Sequence, residues 1–408
     1  MRPTGAGFPK SPPAILCALL MVTISAWAPG QASPVSIGET VQLHSNILKE
    51  SRSLLISKPA GYDDSTDRYS VLYLLDGETH FHYTSGIVNF LAKHDRIPEM
   101  IVVGITSGSM EHRTHDLTPA SANEMDNRFA AGNGGAEAFL SFIADELIPF
   151  VDKTYRTRPY RLIAGHSLGG LFAFYALSTR PKLFNAYIAA DPSLYWNNEA
   201  VAGQAESFLS ATNDLRADLY VTTSFGSDEI VPRLNSALNE KCPAGFRWSF
   251  HSLEQEDHLS IPLPTIYRGL ETIFEEWRLP ADPLPLYDKG GIEGIHKRFR
   301  EAGERFGYPD RRTPPFTVSL VVSALLLAGR LEDAGKVLMH DVRAYPPPWN
   351  QLDALARRYE SRGDSEQAIR YYLLSLKENP RNDFARKKLT ERGVKIPELP
   401  KNEPTSPP

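Results

Sequence analysis

Between Ser53 and Trp277 the chain alternates short apolar runs with longer stretches in which apolar residues recur every three or four positions. The runs Tyr69 to Leu75, Met100 to Ile105, Tyr160 to Ala164, Ala186 to Ala190 and Asp218 to Thr223 are apolar nearly throughout, as central strands covered on both faces are. Gly135 to Tyr155 and Leu168 to Thr179 carry the helical period, which predicts crossover helices that each lay one face on the sheet. Strand and helix in alternation predict an α/β fold with a doubly wound, mostly parallel sheet. Val35 to Pro59 alternates less cleanly and predicts an antiparallel edge hairpin.

A Pro-rich stretch from Leu279 to Pro285 ends this alternation, and the rest reads as helix and turn. Gly329, Ala334 and Pro346 recur as Gly363, Ala368 and Pro380, and Leu338 is matched by Tyr372, so the period is 34 residues. That is the period of tetratricopeptide repeats, whose stacked helix pairs form grooves for protein partners. The expected organisation is a catalytic domain over 33–280, a small all-α helical-repeat region over 281–400 and a disordered tail over 401–408.

Composition narrows the function classes. A chain of 408 residues exceeds what one core organises, and 42% hydrophobic with 23% charged residues is ordinary globular usage. A formal net charge of −5 disfavours nucleic acid as the main partner. Arg2 and Lys10 precede an apolar run from Ala14 to Ala28 and then small residues, which is the layout of a secretory signal over 1–32. The run is shorter than the ~20 residues of a membrane span, so the expectation is a cleaved signal, export to the periplasm or medium, and no span in the mature chain. Loss of Cys17 with the signal leaves Cys242 alone, which excludes an internal disulfide and gives no basis for a metal site.

The candidate chemistry centres on Gly165-His166-Ser167-Leu168-Gly169. Weak as a bare pattern, it gains weight here because an apolar strand runs into it and a helical run leaves it, the order a nucleophile elbow requires. Glycines at 165 and 169 remove β-carbons where strand and helix approach, leaving Ser167 exposed as the candidate nucleophile. A serine needs a base held by a carboxylate, in the chain order Ser, acid, His. Asp228 in Phe225-Gly226-Ser227-Asp228 is the first candidate acid, Glu229 its rival, and His258 after the run Arg247 to His251 the candidate base. The N–H groups of Leu168 and Glu78 are the candidate oxyanion hole, Glu78 lying in the loop after the strand ending at Leu75. His80 and His82 are candidates for the pocket lining, whereas His251 reads as structural and His166 as packed in the elbow.

With these residues in place, the chain resembles the esterase D-like family of α/β-hydrolases, which includes siderophore esterases, feruloyl esterases, S-formylglutathione hydrolases and mycolyltransferases. The resemblance runs from about Ser53 to Trp277 and is carried by Val71-Leu72-Tyr73-Leu74-Leu75-Asp76-Gly77, Glu146-Leu147-Ile148-Pro149-Phe150, the elbow, Asp191-Pro192-Ser193-Leu194-Tyr195-Trp196 and the His258 loop. It is strongest to the siderophore-esterase branch, where the segment after the sixth strand reads Ser-Pro-Ser-Leu-Trp-Trp, so this chain departs at Asp191 and Tyr195. The resemblance implies that Ser193 and Trp196 lie beside the active site. It also makes Arg113 a candidate for gripping an anionic or catechol-like group, with a surface salt bridge as the competing reading. The function implied is a cofactor-free serine esterase acting on small-molecule esters through an acyl-enzyme. Acyl transfer by the same residues, and a repeat-based scaffold with an inactive hydrolase domain, are the alternatives.

Overall fold

A computed structural model of the chain describes residues 35–226, 229–340, 342 and 345–396. The expected signal over 1–32 and tail over 401–408 lie outside the described residues, as does Asp228. Eight strands form one sheet: β1 (Glu39–Ser45), β2 (Glu50–Ser57), β3 (Tyr69–Leu74), β4 (Met100–Ile105), β5 (Thr157–His166), β6 (Ala186–Ala190), β7 (Asp218–Ser224) and β8 (Arg247–Leu253). Their order is β1-β2-β4-β3-β5-β6-β7-β8, antiparallel at β1–β2 and β2–β4 and parallel from β4 to β8. The fold is that of the α/β-hydrolases, an eight-stranded, mostly parallel sheet followed by a helical region.

Successive residues of a strand point to opposite faces, and the two layers separate on that parity. Val71, Tyr73, Ile101, Val103, Ile163, Tyr187 and Val221 pack with Phe139, Phe142 and Phe172 on one side. Leu72, Leu74, Val102, Leu162, Ile188 and Tyr220 pack with Val88, Leu91, Ile266 and Leu270 on the other. The stretch expected as a single helix over 135–155 is interrupted. Helices Ala136–Phe142 and Ile148–Thr154 flank a wider turn over Ile143–Leu147, where the ladder absorbs Pro149, which has no N–H to give.

The helical region has its own core of Val321, Leu325, Leu338, Leu355 and Tyr372. Helices Pro315–Leu327 and Leu331–Met339 make one pair, and Trp349–Ser361 and Ser365–Glu378 another. Both pairs turn on a left-handed glycine, Gly329 at φ 73° and Gly363 at φ 80°. The turn bonds repeat at the 34-residue offset: Arg330 N–H to the Leu325 carbonyl in one pair and Asp364 N–H to the Tyr359 carbonyl in the other.

The Pro-rich junction does not end contact with the sheet. Ala302 and Phe306 join the core of Tyr160, Phe274 and Trp277. The Tyr308 hydroxyl accepts from Ser70 N–H at 3.1 Å and donates to the Glu99 carbonyl at 3.1 Å, and Arg305 pairs with Asp218 at 2.9 Å. Arg158 lies over the Tyr308 ring at 4.2 Å and Arg311 over the Trp277 ring at 3.2 Å. The sheet residues in these contacts stand at or near the starts of β3, β4, β5 and β7, opposite the edge that carries the candidate site.

Candidate active site

Three residues at the carboxyl ends of neighbouring strands hold φ values that favour glycine: Asp76 after β3 (53°), Ser167 after β5 (59°) and Asp191 after β6 (42°). Strain of this kind costs of order 1–3 kcal/mol per residue and persists only where surrounding structure enforces it. At Ser167 the cause is local. A β-carbon at residue 165 would collide with the Gly169 backbone, and one at residue 170 would approach Pro192 Cα to 2.9 Å. Glycine at both positions lets helix Leu168–Thr179 leave the sheet immediately, with Ser167 lifted at the turn. Ser167 N–H is fixed to the Ala190 carbonyl at 3.0 Å, and its Oγ lies 3.2 Å from Ser193 Oγ.

His258 stands on the loop after β8. The Asp257 carboxylate accepts from the N–H groups of Leu259 (2.9 Å) and Ser260 (2.8 Å), closing a tight turn around it. Its Nδ1 lies 2.7 Å from Asp191 Oδ2. Asp191 is 8% exposed, and its carboxylate also accepts from Ser224 N–H at 3.1 Å and Ser224 Oγ at 2.5 Å. An acceptor held on Nδ1 fixes the tautomer that leaves Nε2 with its lone pair. Among the described residues the carboxylate in contact with His258 is that of Asp191, directly after β6 and two positions before Ser193. Sequence reasoning placed it after β7, at Asp228 or Glu229. Asp228 lies outside the described residues, and Glu229 is the residue preceding helix Ile230–Glu240. The available signal was the acid at 191 where the resembled branch has serine.

Ser167 and His258 line one cavity of about 440 Å³ with Asp76, Glu78, His80, Met110, Arg113, His166 and Leu259 among its walls. Helix Gly77–Lys93 opens on it. The N–H groups of Thr79 and His80 return to the Asp76 carbonyl, which leaves Glu78 N–H without an intrahelical acceptor, as Leu168 N–H is at the start of its own helix. The Glu78 side chain turns away, accepting from Ser107 N–H at 3.0 Å and Gly108 N–H at 3.2 Å.

Arg113 lines the cavity but has its fork engaged. Nε and Nη2 donate to the two Asp76 oxygens at 2.7 and 2.9 Å, and Nη2 also reaches the His166 carbonyl at 3.2 Å. Its geometry is that of a clamp across the ends of β3 and β5, not of a free cation facing solvent. Trp196 is 3% exposed, and its indole N–H donates to the Pro119 carbonyl at 2.9 Å. It packs beneath the site and presents no surface to a ligand. The exposed neighbour is Tyr195, which with Phe225 and His258 lines a second cavity of about 440 Å³ on the β6–β7 side. Ser193 is buried against Ser167.

The histidines divide by burial. His82 is exposed on helix Gly77–Lys93, and His251 is exposed beside Ser249. His80 is buried, with Nδ1 2.6 Å from the Tyr83 hydroxyl, and burial lowers its pKa. His166 sits between His80 and His258: its ring meets that of His80 edge-on at 5.7 Å and lies tilted against that of His258 at 4.5 Å. Burial, then the neighbouring His258 and His80, push its pKa down to about 4, so it stays neutral at neutral pH. Among the described residues no cluster of three His, Cys, Asp or Glu side chains could hold a metal ion. No described helix is long and apolar enough to cross a membrane.

A doubly wound sheet with a strained serine after β5 and a histidine after β8 is the layout of a serine hydrolase of the α/β class. Comparison with known proteins agrees. Residues 45–241 match the family described as "Putative esterase". Ferri-bacillibactin esterase BesA of Bacillus subtilis is 29% identical over 53% of this chain and 82% of its own length. The siderophore enterobactin esterase of Emericella nidulans is 33% identical over 43% of this chain and 65% of its own. The crystal structure of an IroE-like serine hydrolase from Shewanella oneidensis superposes with a TM-score of 0.56 at 25% identity, covering 83% of this chain and 98% of that one. The chain is an esterase of the α/β-hydrolase superfamily.

Proposed function

We propose that the protein hydrolyses carboxylic esters of the siderophore or related aryl-ester class through an acyl-enzyme on Ser167. The observation that carries this reading is the 2.7 Å contact from His258 Nδ1 to the buried Asp191 carboxylate, in a cavity shared with Ser167. Ser167 Oγ attacks the ester carbonyl carbon while its proton passes to His258 Nε2. The Asp191 charge stabilises the imidazolium. Negative charge gathers on the former carbonyl oxygen, and the N–H groups of Leu168 and Glu78, which lack intrahelical acceptors, are assigned to stabilise it. Collapse breaks the bond to the leaving oxygen, which takes the proton from His258. Water activated by the same imidazole then attacks the acyl-enzyme, releasing the acid and restoring Ser167.

The substrate class is supported by siderophore esterases among the relatives and by the exposed aromatic residues Tyr195 and Phe225 beside His258. The 34-residue recurrence of the glycine turns supports reading the helical pairs as tetratricopeptide-like repeats, and the charged start followed by an apolar run supports export. A fluorophosphonate probe and an ester panel from aliphatic to catecholate esters test the enzyme reading. The expected result is covalent labelling at Ser167, with the higher kcat/KM on aryl esters. Ser167→Ala should abolish labelling and lower turnover by about three to six orders of magnitude while leaving Tm unchanged. Turnover surviving in that variant overturns the assignment.

A further inference from the structure

The helical region holds a cavity of about 520 Å³ remote in sequence from the ester site, lined by Glu293, His296 and Arg300, by the loop 309–313, and by His340 and Tyr345. Its walls are built before any ligand arrives. Glu293, His296 and Arg300 share one face of helix Leu284–Arg305 by their three- and four-residue spacing. The loop lies close on that helix because residue 303 is glycine: a β-carbon there would collide with the Tyr308 carbonyl and the Arg311 side chain. Tyr308 N–H bonds the Gly303 carbonyl at 2.6 Å, and Arg311 is tied to the Trp277 carbonyl at 2.8 Å. On the far side Tyr345 stacks on His296 with centroids 5.2 Å apart and planes 17° apart, and His296 Nδ1 meets the buried Thr313 hydroxyl at 2.8 Å.

The charges around this space are unequally matched. Arg311 has Asp95 at 3.3 Å, and Glu293 has His340 at 2.9 Å. Among the described residues Arg300 and Arg312 have neither an ion-pair nor a hydrogen-bond partner, and Asp310 is the one carboxylate of the lining likewise unpaired. Two free guanidinium forks suit a planar oxyanion, which they bind by paired N–H bonds. The carboxylates of Asp310 and Glu293 in the same lining reject a polyanion and favour a ligand that also donates hydrogen bonds.

We infer that this cavity binds a planar monocarboxylate bearing hydroxyl groups, gripped at its carboxylate by Arg300 and Arg312. Ester hydrolysis turns a neutral ester into a carboxylate, so the reaction proposed above generates ligands of this class. That link rests on the hydrolase reading, whereas the binding site does not. Titration calorimetry on the full-length protein at low salt, with no ester present, tests it with 3-hydroxybenzoate, benzoate and inorganic phosphate. Saturable binding of 3-hydroxybenzoate, weaker binding of benzoate, and at least a tenfold loss in an Arg300→Gln/Arg312→Gln double variant of unchanged Tm and ester turnover are the results expected. No saturable binding, binding indifferent to the double substitution, or tighter binding of inorganic phosphate each overturns the proposal. Since no turnover is read in the titration, an inactive hydrolase site leaves the outcome interpretable.

Discussion

The two edges of the sheet are built from the same strands and behave oppositely. At the carboxyl edge, backbone strain gathers at Asp76, Ser167 and Asp191, and polar groups face a cavity. At the amino edge, Phe306 is wholly buried, Tyr308 is hydrogen-bonded to β3 and to the residue before β4, and Arg158 and Arg311 lie on aromatic faces. One edge stores strain for chemistry and the other contributes packing that offsets it. The helical region therefore belongs to the stability of the hydrolase fold through residues 302–311.

Substitutions can separate the two edges. The largest effect is expected from Asp191→Asn, which should lower kcat by about two to four orders of magnitude through loss of the carboxylate that orients and stabilises the imidazolium. Glu229→Gln should stay within about twofold of the parent, and the reverse ranking in steady-state assays would return the acid to the β7 loop. Phe306→Ala should do the opposite. Removal of a fully buried ring costs about 3–5 kcal/mol in chemical denaturation, with kcat on the remaining folded enzyme nearly unchanged. A proportionate fall in kcat would show that the edges are coupled.

A smaller effect concerns acid. His166 has its folded-state pKa depressed to about 4, so below pH 6.5 the unfolded chain binds its proton first. The stability it contributes is present above that pH and lost as pH falls towards 4, up to roughly 3 kcal/mol. His166→Phe should flatten that part of the stability curve in denaturant titrations at pH 7 and pH 4.5, and an unchanged slope would reject the burial argument. The smallest effect is expected at the rim: Tyr195→Ala should raise KM for aryl esters by about two- to tenfold and leave that for acetyl esters unaltered. Equal changes for both would remove Tyr195 from substrate contact.

Much of this layout was legible in the sequence. Parallel strands covered on both faces announce themselves as apolar runs, so β3 to β7 stand where periodicity put them, and the glycines around Ser167 signal the elbow because only a close backbone approach requires them. What escaped has specific causes. The contact between Asp191 and His258 depends on which strand ends lie near that imidazole, a tertiary fact that chain order does not encode. Trp196 carries a name suited to ligand binding, but the left-handed residues Asn197, Asn198 and Glu199 that follow it bend the chain so that Tyr195 faces out and the indole packs inward. The attachment of residues 302–311 beneath the sheet was hidden because the Pro-rich stretch from Leu279 to Pro285 reads as a boundary, and composition does not reveal that the chain returns.

The Asp191 carboxylate lies within one hydrogen bond of Ser224, at the end of the adjacent strand. In design terms, the carboxylate of the proposed triad has more freedom of place than its nucleophile. Ser167 cannot change places, since Gly165 and Gly170 fit one turn only. A carboxylate needs merely to reach Nδ1 of one imidazole, and neighbouring strand ends meet that demand alike.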